Sequence, residues 1–151
     1  ETDTPNIVAD AVQLKQVLVN LFTNAVEAVD ESGGAIGIGT GTLSLDTDAL
    51  RELGAEDELI EGAYVFLRVT DDGCGIPREN LARLFEPFFS TKFLGRGLGL
   101  AAAQGVVRGH GGWLHVASTP GHGATFTAYF PAAARPALRL GAVGAESKLS
   151  V

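Results

Sequence analysis

Two carboxamides and a carboxylate recur at helical spacing in the segment NLFTNAVEAV, residues 20–29. Asn20, Asn24 and Glu27 are separated by four and three residues, so a helix would place them on one face. An Asn carbonyl is a hard oxygen ligand that suits Mg²⁺, and an Asn amide can hold a phosphate. An exposed polar face without a function would show the same spacing, so this segment by itself leaves both interpretations open.

The glycine-rich segment DDGCGIP, residues 71–77, directly follows a predicted strand. Asp71 stands at the strand end, where its side chain could accept a hydrogen bond from an exocyclic amine. Gly73 and Gly75 allow backbone geometry that a side chain would forbid, and they let a ligand approach closely. An ordinary glycine-rich turn explains this segment equally well.

A third segment, GRGLGL at residues 95–100, stands at the predicted start of a helix. Backbone N–H groups at a helix start bind anions, glycines leave room for a phosphate, and Lys92 and Arg96 add positive charge. Leu100 occupies the place of the third glycine of a dinucleotide fingerprint, and no lysine follows a glycine as a P-loop requires. Both of those families are therefore excluded.

Other residues give weaker signals. The segment GHGATF, residues 121–126, is by itself best explained as a turn leading into a strand. The three histidines lack zinc-site spacing, and Cys74 has no basic neighbour in sequence that would make it a nucleophile.

Composition limits the classes of protein to which the chain can belong. The chain has 151 residues, of which 46% are apolar and 19% charged, which fits one globular domain. Residues 1–72 hold 15 acidic and 3 basic side chains, whereas residues 73–151 hold 3 acidic and 8 basic ones. A net charge of −7 argues against a nucleic-acid binder, and no apolar run approaches a membrane span. We therefore expect this domain to contact neither nucleic acid nor membrane.

Hydrophobic periodicity predicts the elements that would position these residues. A long apolar stripe predicts a helix over residues 11–30, which Asp10 would cap, and alternating residues predict strands. The predicted order is a strand within 4–10, the helix 11–30, a strand 35–45, an acidic loop 46–62, a strand 63–70, helices 78–86 and 98–109, and strands 113–118 and 124–130. This order predicts a two-layer α/β sandwich in which about three helices cover one face of a mixed sheet. We assign residues 5–131 to this domain and residues 132–151 to a C-terminal linker or tail.

In their order, the segments NLFTNAVEA, DDGCGIP, LFEPFFSTK with GRGLGL, and GHGATF resemble the ATP-binding catalytic domain of two-component sensor histidine kinases. That domain belongs to the GHKL superfamily of gyrase, Hsp90, histidine kinase and MutL. The resemblance runs from about Pro5 to Pro131 and implies the Bergerat-type ATP-binding fold. It also implies ATP and Mg²⁺ as ligands and a cytoplasmic location.

The resemblance implies a role for each matching residue. Asn24 would hold Mg²⁺, Asn20 would line the same pocket, and Glu27 would lie near the phosphates. Asp71 would accept a hydrogen bond from the adenine amino group. The other nucleotide-binding positions would be Gly73, Gly75 and Ile76 at the base; Phe88 in a phenylalanine block with Phe85 and Pro87; Lys92, Gly95, Arg96, Gly97 and Leu98 in the lid; Gly99 and Leu100 at the helix start; and Thr125 near the adenine.

Two departures from the superfamily's pattern refine this interpretation. ATPase branches carry a general-base Glu four residues before the metal-binding Asn, but this chain has Asn20 there, so an efficient ATPase is not expected. Glu27 stands where many sensor kinases carry Lys or Arg. This feature and the short lid resemble the nitrogen-regulator-like branch, and they leave more of the phosphate charge to Lys92, Arg96 and Mg²⁺.

The implied function is that of a protein-histidine kinase catalytic domain, which positions the γ-phosphate of ATP for transfer to a histidine on a separate dimerisation domain. The three histidines here are followed by Gly, Val and Gly instead of Glu or Asp, so we expect nucleotide binding without autophosphorylation. We expect this chain to be a monomer, its parent a homodimer, and its downstream partner a response-regulator receiver domain. The alternatives are a nucleotide-binding docking or sensing module without kinase activity, and a serine kinase of the anti-sigma type.

Overall fold

A computed structural model describes residues 6–29, 33–89 and 99–133. The strands of its sheet are β1 (Ile36–Leu45), β2 (Gly62–Asp71), β3 (Trp113–Ser118) and β4 (Ala124–Pro131). The helices are α1 (Ala11–Val29), α2 (Thr47–Glu52), α3 (Arg78–Leu81) and α4 (Gly99–Gly109). None of the helices in these ranges combines the length and the apolar character that a membrane span requires.

The sheet has the strand order β1-β2-β4-β3, and each pair of neighbouring strands is antiparallel. The predicted two-layer sandwich is confirmed, but the described strands form an antiparallel sheet and not the mixed sheet that we expected. The strand predicted within 4–10 is also wrong over its described part, residues 6–10, which form no ladder. One backbone hydrogen bond, from Ala133 N–H to the Asn6 carbonyl at 2.7 Å, ties this segment to the end of β4.

The main core lies between one face of the sheet and the helices α1 and α4. Alternate residues of a strand point to the same face, so β2 and β4 each supply a row of apolar side chains. Val17 and Leu21 of α1 are completely inaccessible to solvent. Burying each such side chain contributes about 1.5–3 kcal/mol to folding, so the apolar stripe of α1 fixes this helix on the sheet.

Helix α2 packs against the opposite face of the sheet, within the segment that we predicted to be an acidic loop. Asp46 caps this helix, since its side chain accepts a hydrogen bond from Ala49 N–H. Leu50 is buried with Tyr64 and Tyr129 in a second, smaller apolar cluster. The prediction missed α2 because a six-residue helix offers too few apolar positions to show a period.

The segment after α3 differs from the predicted helix over 78–86. Its backbone hydrogen bonds join residues three apart, as from Arg83 N–H to the Asn80 carbonyl at 3.1 Å and from Glu86 N–H to the Arg83 carbonyl at 3.0 Å. Such bonds form successive tight turns and not an α-helix. These turns bring Leu84 and Phe85 against the main core.

His110 connects the end of α4 to the start of α1. Asp10 caps α1 as predicted, because its Oδ1 accepts from Val12 N–H at 2.9 Å. The backbone N–H of Asp10 lies 3.1 Å from His110 Nε2, and His110 Nδ1 lies 2.8 Å from the Val106 carbonyl. An N–H group only donates and a carbonyl only accepts, so Nε2 is the acceptor and Nδ1 carries the proton. The imidazole thus links the two helices of the core layer.

We predict that His110→Phe lowers the free energy of unfolding by about 1–2 kcal/mol, because both hydrogen bonds of the imidazole are lost. The aromatic ring is retained, so the edge-to-face contact with Phe130, at 6.3 Å between centroids, is preserved. Denaturant unfolding followed by circular dichroism measures the change. The same substitution at the exposed His122 is the control and should change stability by less than about 0.5 kcal/mol. Equal stabilities of wild type and His110→Phe would contradict the assignment.

Candidate functional site

Asp71 is the last residue of β2. Its side chain lies on the face of the sheet that α1 and α4 cover. The residue is only 3% exposed. Its Oδ1 accepts a hydrogen bond from Gly73 N–H at 2.9 Å. Its Oδ2 is buried and has no hydrogen-bond partner among the described residues. Because an unsatisfied buried carboxylate oxygen costs free energy, this atom is suited to accept a hydrogen bond from a ligand.

The loop after β2 lies against the last turn of α1. Cys74 N–H donates to the Ala28 carbonyl at 3.3 Å. A Cβ atom on Gly73 would overlap that same carbonyl and would lie 2.9 Å from Asp71 Oδ1. The loop can therefore approach the helix only because Gly73 has no side chain, and this approach places the end of α1 beside Asp71.

The polar face of α1 connects this loop to the start of α4. Asn20 Nδ2 donates to the Gly99 carbonyl at 3.0 Å. Asn24 is half-buried one turn further along, and Ala28 follows one turn after it. Glu27 is exposed on the same helix. The structure thus brings Asn20, Asn24 and the Asp71 loop onto one side of the domain.

The carboxamide oxygen of Asn24 is a hard ligand of the kind that suits Mg²⁺. Within the described ranges, no group of three or more His, Cys, Asp or Glu residues could hold a metal ion. A Mg²⁺ ion bound together with a nucleotide commonly takes only one or two protein ligands, with phosphates and water supplying the rest. The single carboxamide of Asn24 therefore fits a metal that arrives with phosphates and does not fit a site made of protein ligands alone.

Ser118 contacts the loop that follows Asp71, although no sequence pattern indicated it. Its Oγ accepts a hydrogen bond from Ile76 N–H at 2.8 Å and donates one to the Gly123 carbonyl at 2.8 Å. The side chain of Ile76 packs against the main core, and this contact also holds the loop in place. A serine at the end of a strand has no characteristic spacing, so neither pattern nor motif could have found this contact.

The register of the sheet places Thr125 on the face opposite to Asp71, whereas the resemblance implies a place for it near the adenine. Asp71 is paired in the sheet with Ala124, and Thr125 is paired with Thr70. The Thr125 hydroxyl lies 3.3 Å from the Thr70 hydroxyl. Because successive strand residues point to opposite faces, Ala124 faces the site and Thr125 faces away from it.

Thr125 instead lines a groove of about 400 Å³ on the opposite face of the sheet, together with Arg68 and His115. The Arg68 guanidinium lies 4.7 Å from the centre of the Phe66 ring, and its Nε donates to the Thr127 hydroxyl at 3.3 Å. Burial lowers the pKa of His115 below its usual value. This surface is therefore separate from the site around Asp71.

The segment before residue 90 contains a strained residue. Phe88 has a φ of +67° and is 79% exposed. A left-handed conformation is costly for a bulky side chain, and such strain concentrates at functional segments.

Phe85 and Leu100 pack against the main core. Five predicted positions lie outside the described residues: Lys92, Gly95, Arg96, Gly97 and Leu98.

Comparison of the sequence with known proteins identifies a family and several relatives. The family model for histidine kinase-, DNA gyrase B- and HSP90-like ATPases matches residues 9–134. The chain is 42% identical over 125 residues to the sensor histidine kinase ZraS of Klebsiella oxytoca, covering 83% of this chain and 23% of that protein. It is 40% identical over 123 residues to the signal transduction histidine-protein kinase AtoS of Escherichia coli K12, covering 82% of this chain and 17% of that protein. The chain therefore spans less than a quarter of the length of these two relatives.

Comparisons of the fold agree as well. A nucleotide-free catalytic domain of histidine kinase ThkA matches with a TM-score of 0.62 and 30% identity, over 83% of this chain and 71% of that one. Full-length ShkA in complex with AMPPNP matches with a TM-score of 0.62 and 32% identity, over 89% of this chain and 25% of that one. Since the family model covers most of the chain and a kinase catalytic domain shares both its sequence and its fold, the chain belongs to the histidine kinase-, DNA gyrase B- and HSP90-like ATPase family, as a sensor histidine kinase catalytic domain.

Proposed function

We propose that this domain binds ATP with its adenine at Asp71 and presents the γ-phosphate to a histidine on a dimerisation domain outside this chain. The observation that carries the proposal is the buried Oδ2 of Asp71, which lacks a hydrogen-bond partner among the described residues. The adenine amino group is a donor of the kind that this atom needs. The AMPPNP bound in the related ShkA structure supports the choice of an adenine nucleotide.

The phosphate end of the nucleotide lies along α1 toward the start of α4. Asn24 supplies the protein oxygen for Mg²⁺, which when bound neutralises phosphate charge during phosphoryl transfer. Asn20 holds the Gly99 carbonyl, which positions the first turn of α4. The backbone N–H groups at a helix start attract phosphate. Lys92 and Arg96 lie outside the described residues, and the family resemblance implies that they add positive charge at the phosphates.

Asn20 also bears on the class of reaction. An amide cannot act as the general base that activates water, so the site favours transfer to a protein acceptor over rapid hydrolysis. The long remainder of relatives such as ZraS supports an acceptor on another domain of the parent protein. The proposal thus includes a homodimeric parent, a cytoplasmic location for this domain, and a downstream receiver domain.

Calorimetric titration of the chain with ADP and ATP, with and without Mg²⁺, tests the proposal. GTP serves as the control, because its purine ring carries an oxo group where adenine carries the amine. We expect micromolar binding of the adenine nucleotides, a dependence of ATP affinity on Mg²⁺, and no comparable binding of GTP. If the folded chain binds neither ADP nor ATP, the proposed function is wrong and only the family relationship remains.

We predict that Asp71→Asn weakens ADP binding about ten- to a hundredfold, because a charge-assisted hydrogen bond is replaced at constant size. Asp72→Asn is the matched control. Asp72 is exposed, and its Oδ1 accepts from Ala35 N–H at 2.8 Å, a bond that the Asn oxygen preserves. We expect its ADP affinity to match that of the wild type. An unchanged affinity in Asp71→Asn would show that the base binds elsewhere.

Thr125→Val should leave ADP affinity within about twofold of wild type, because a hydroxyl on the opposite face of the sheet cannot reach the base. Ala124→Val adds two methyl groups on the Asp71 face and should weaken ADP binding. Competition against a fluorescent ADP analogue measures both affinities, and thermal unfolding checks that both variants are folded. Weaker ADP binding by Thr125→Val together with unchanged binding by Ala124→Val would show that Thr125, and not Ala124, lies near the adenine.

Incubation with radiolabelled ATP should give no phosphohistidine on the isolated chain, because none of its three histidines is followed by an acidic residue. Phosphate should transfer when a dimerisation domain from a homologous kinase, with its His-Glu or His-Asp pair, is added in trans. A variant of that domain with the histidine replaced by Gln is the control. Nucleotide binding without any transfer would favour the docking or sensing module, and acid-stable phosphoserine on an added protein would favour the anti-sigma type.

A further inference from the structure

Two backbone segments border Asp71. One is formed by residues 73–77 of the loop after β2, which we call the base loop. The other is the turn between β3 and β4, residues 119–123, which we call the hairpin turn. Gly121 N–H donates to the Cys74 carbonyl at 2.7 Å, so the two segments are in direct contact.

Glycines allow this contact to be close. Gly75 has a φ of +73°, and a Cβ atom there would overlap the Thr119 carbonyl. Gly123 has a φ of +85°, and a Cβ atom there would overlap the carbonyl of Asp71 itself. The hairpin turn therefore touches the backbone of the residue that would recognise the base, and a shift of this turn would move Asp71.

Ser118 joins the two segments through its side chain. It is the last residue of β3 and is paired with Ala124, so it lies on the same face as Asp71. Its half-buried hydroxyl accepts a hydrogen bond from Ile76 N–H in the base loop and donates one to the Gly123 carbonyl in the hairpin turn, each at 2.8 Å. One hydroxyl thus satisfies a donor from one segment and an acceptor from the other.

We propose that Ser118 is a positioning residue for adenine recognition, which acts by holding the base loop and the hairpin turn in register around Asp71. This inference rests on the proposed function, since it assigns the support of the same site. Without the hydroxyl, Ile76 N–H loses its partner, and the Gly123 carbonyl keeps only the longer hydrogen bond from Thr119 N–H at 3.4 Å. Both segments then gain freedom that base binding must remove. The affinity for a base that carries the adenine amine should therefore decrease.

The first experiment compares ADP with inosine diphosphate, which has the same phosphates and ribose but carries an oxo group in place of the adenine amino group. We expect Ser118→Ala to weaken ADP binding about tenfold, as for the loss of a buried hydrogen-bonding group. Inosine diphosphate should be affected much less, so the ratio of the two affinities should fall. Ser44→Ala, the same substitution at an exposed position of β1, should leave both affinities unchanged.

A double-mutant cycle then separates positioning from general stability. If Ser118 acts through Asp71, combining Ser118→Ala with Asp71→Asn should weaken ADP binding little more than Asp71→Asn alone. A merely structural role would lower the unfolding temperature, leave the affinity ratio at its wild-type value and give additive losses. Ser118→Cys, which keeps the size and donates weakly, provides the same readout if Ser118→Ala does not fold.

The outcomes distinguish failure of nucleotide binding from failure of the role of Ser118. Failure of the wild-type chain to bind ADP would overturn the proposed function. Binding by the wild type together with an unchanged affinity ratio in Ser118→Ala, or additive losses in the cycle, would overturn the role of Ser118 alone.

Discussion

The buried carboxylate of Asp71 is the constraint around which this domain is arranged. Its position at the last residue of β2 leaves it 3% exposed, and one of its oxygens has no partner among the described residues. A buried polar atom of this kind costs free energy in the absence of a donor, so the surrounding structure must hold it in place. The Ala28 carbonyl supports the adjoining loop from α1, and Ser118 supports it from the β3–β4 hairpin.

Helix α1 connects the base end of the site with the phosphate end. Its apolar side is fully buried at Val17 and Leu21, which fixes the helix on the sheet. Its polar side meets the start of α4 through Asn20 and the loop after β2 through Ala28. With a rise of 1.5 Å per residue, these two contacts are about 12 Å apart along the helix axis. Both ends of the site are therefore attached to one rigid element.

The sheet separates two surfaces because its side chains alternate between its faces. One face carries Asp71 with the main core and the helices α1 and α4. The other carries the small cluster under α2 and a groove lined by Arg68 and His115. This alternation explains why two neighbouring residues, Ala124 and Thr125, belong to different surfaces although one motif contains both.

The sequence by itself determined the elements whose signals are local and the family to which they belong. Asp10 and the stripe of α1 predicted that helix, and alternation predicted β1 to β4, because helical and strand periods are properties of neighbouring residues. Tertiary structure decided what depends on distant contacts. It placed α2 on the far face, left residues 6–10 without a strand, turned Thr125 away from Asp71, and joined Ser118 to two loops. These outcomes follow from register and from packing between segments far apart in the chain, which no local pattern encodes.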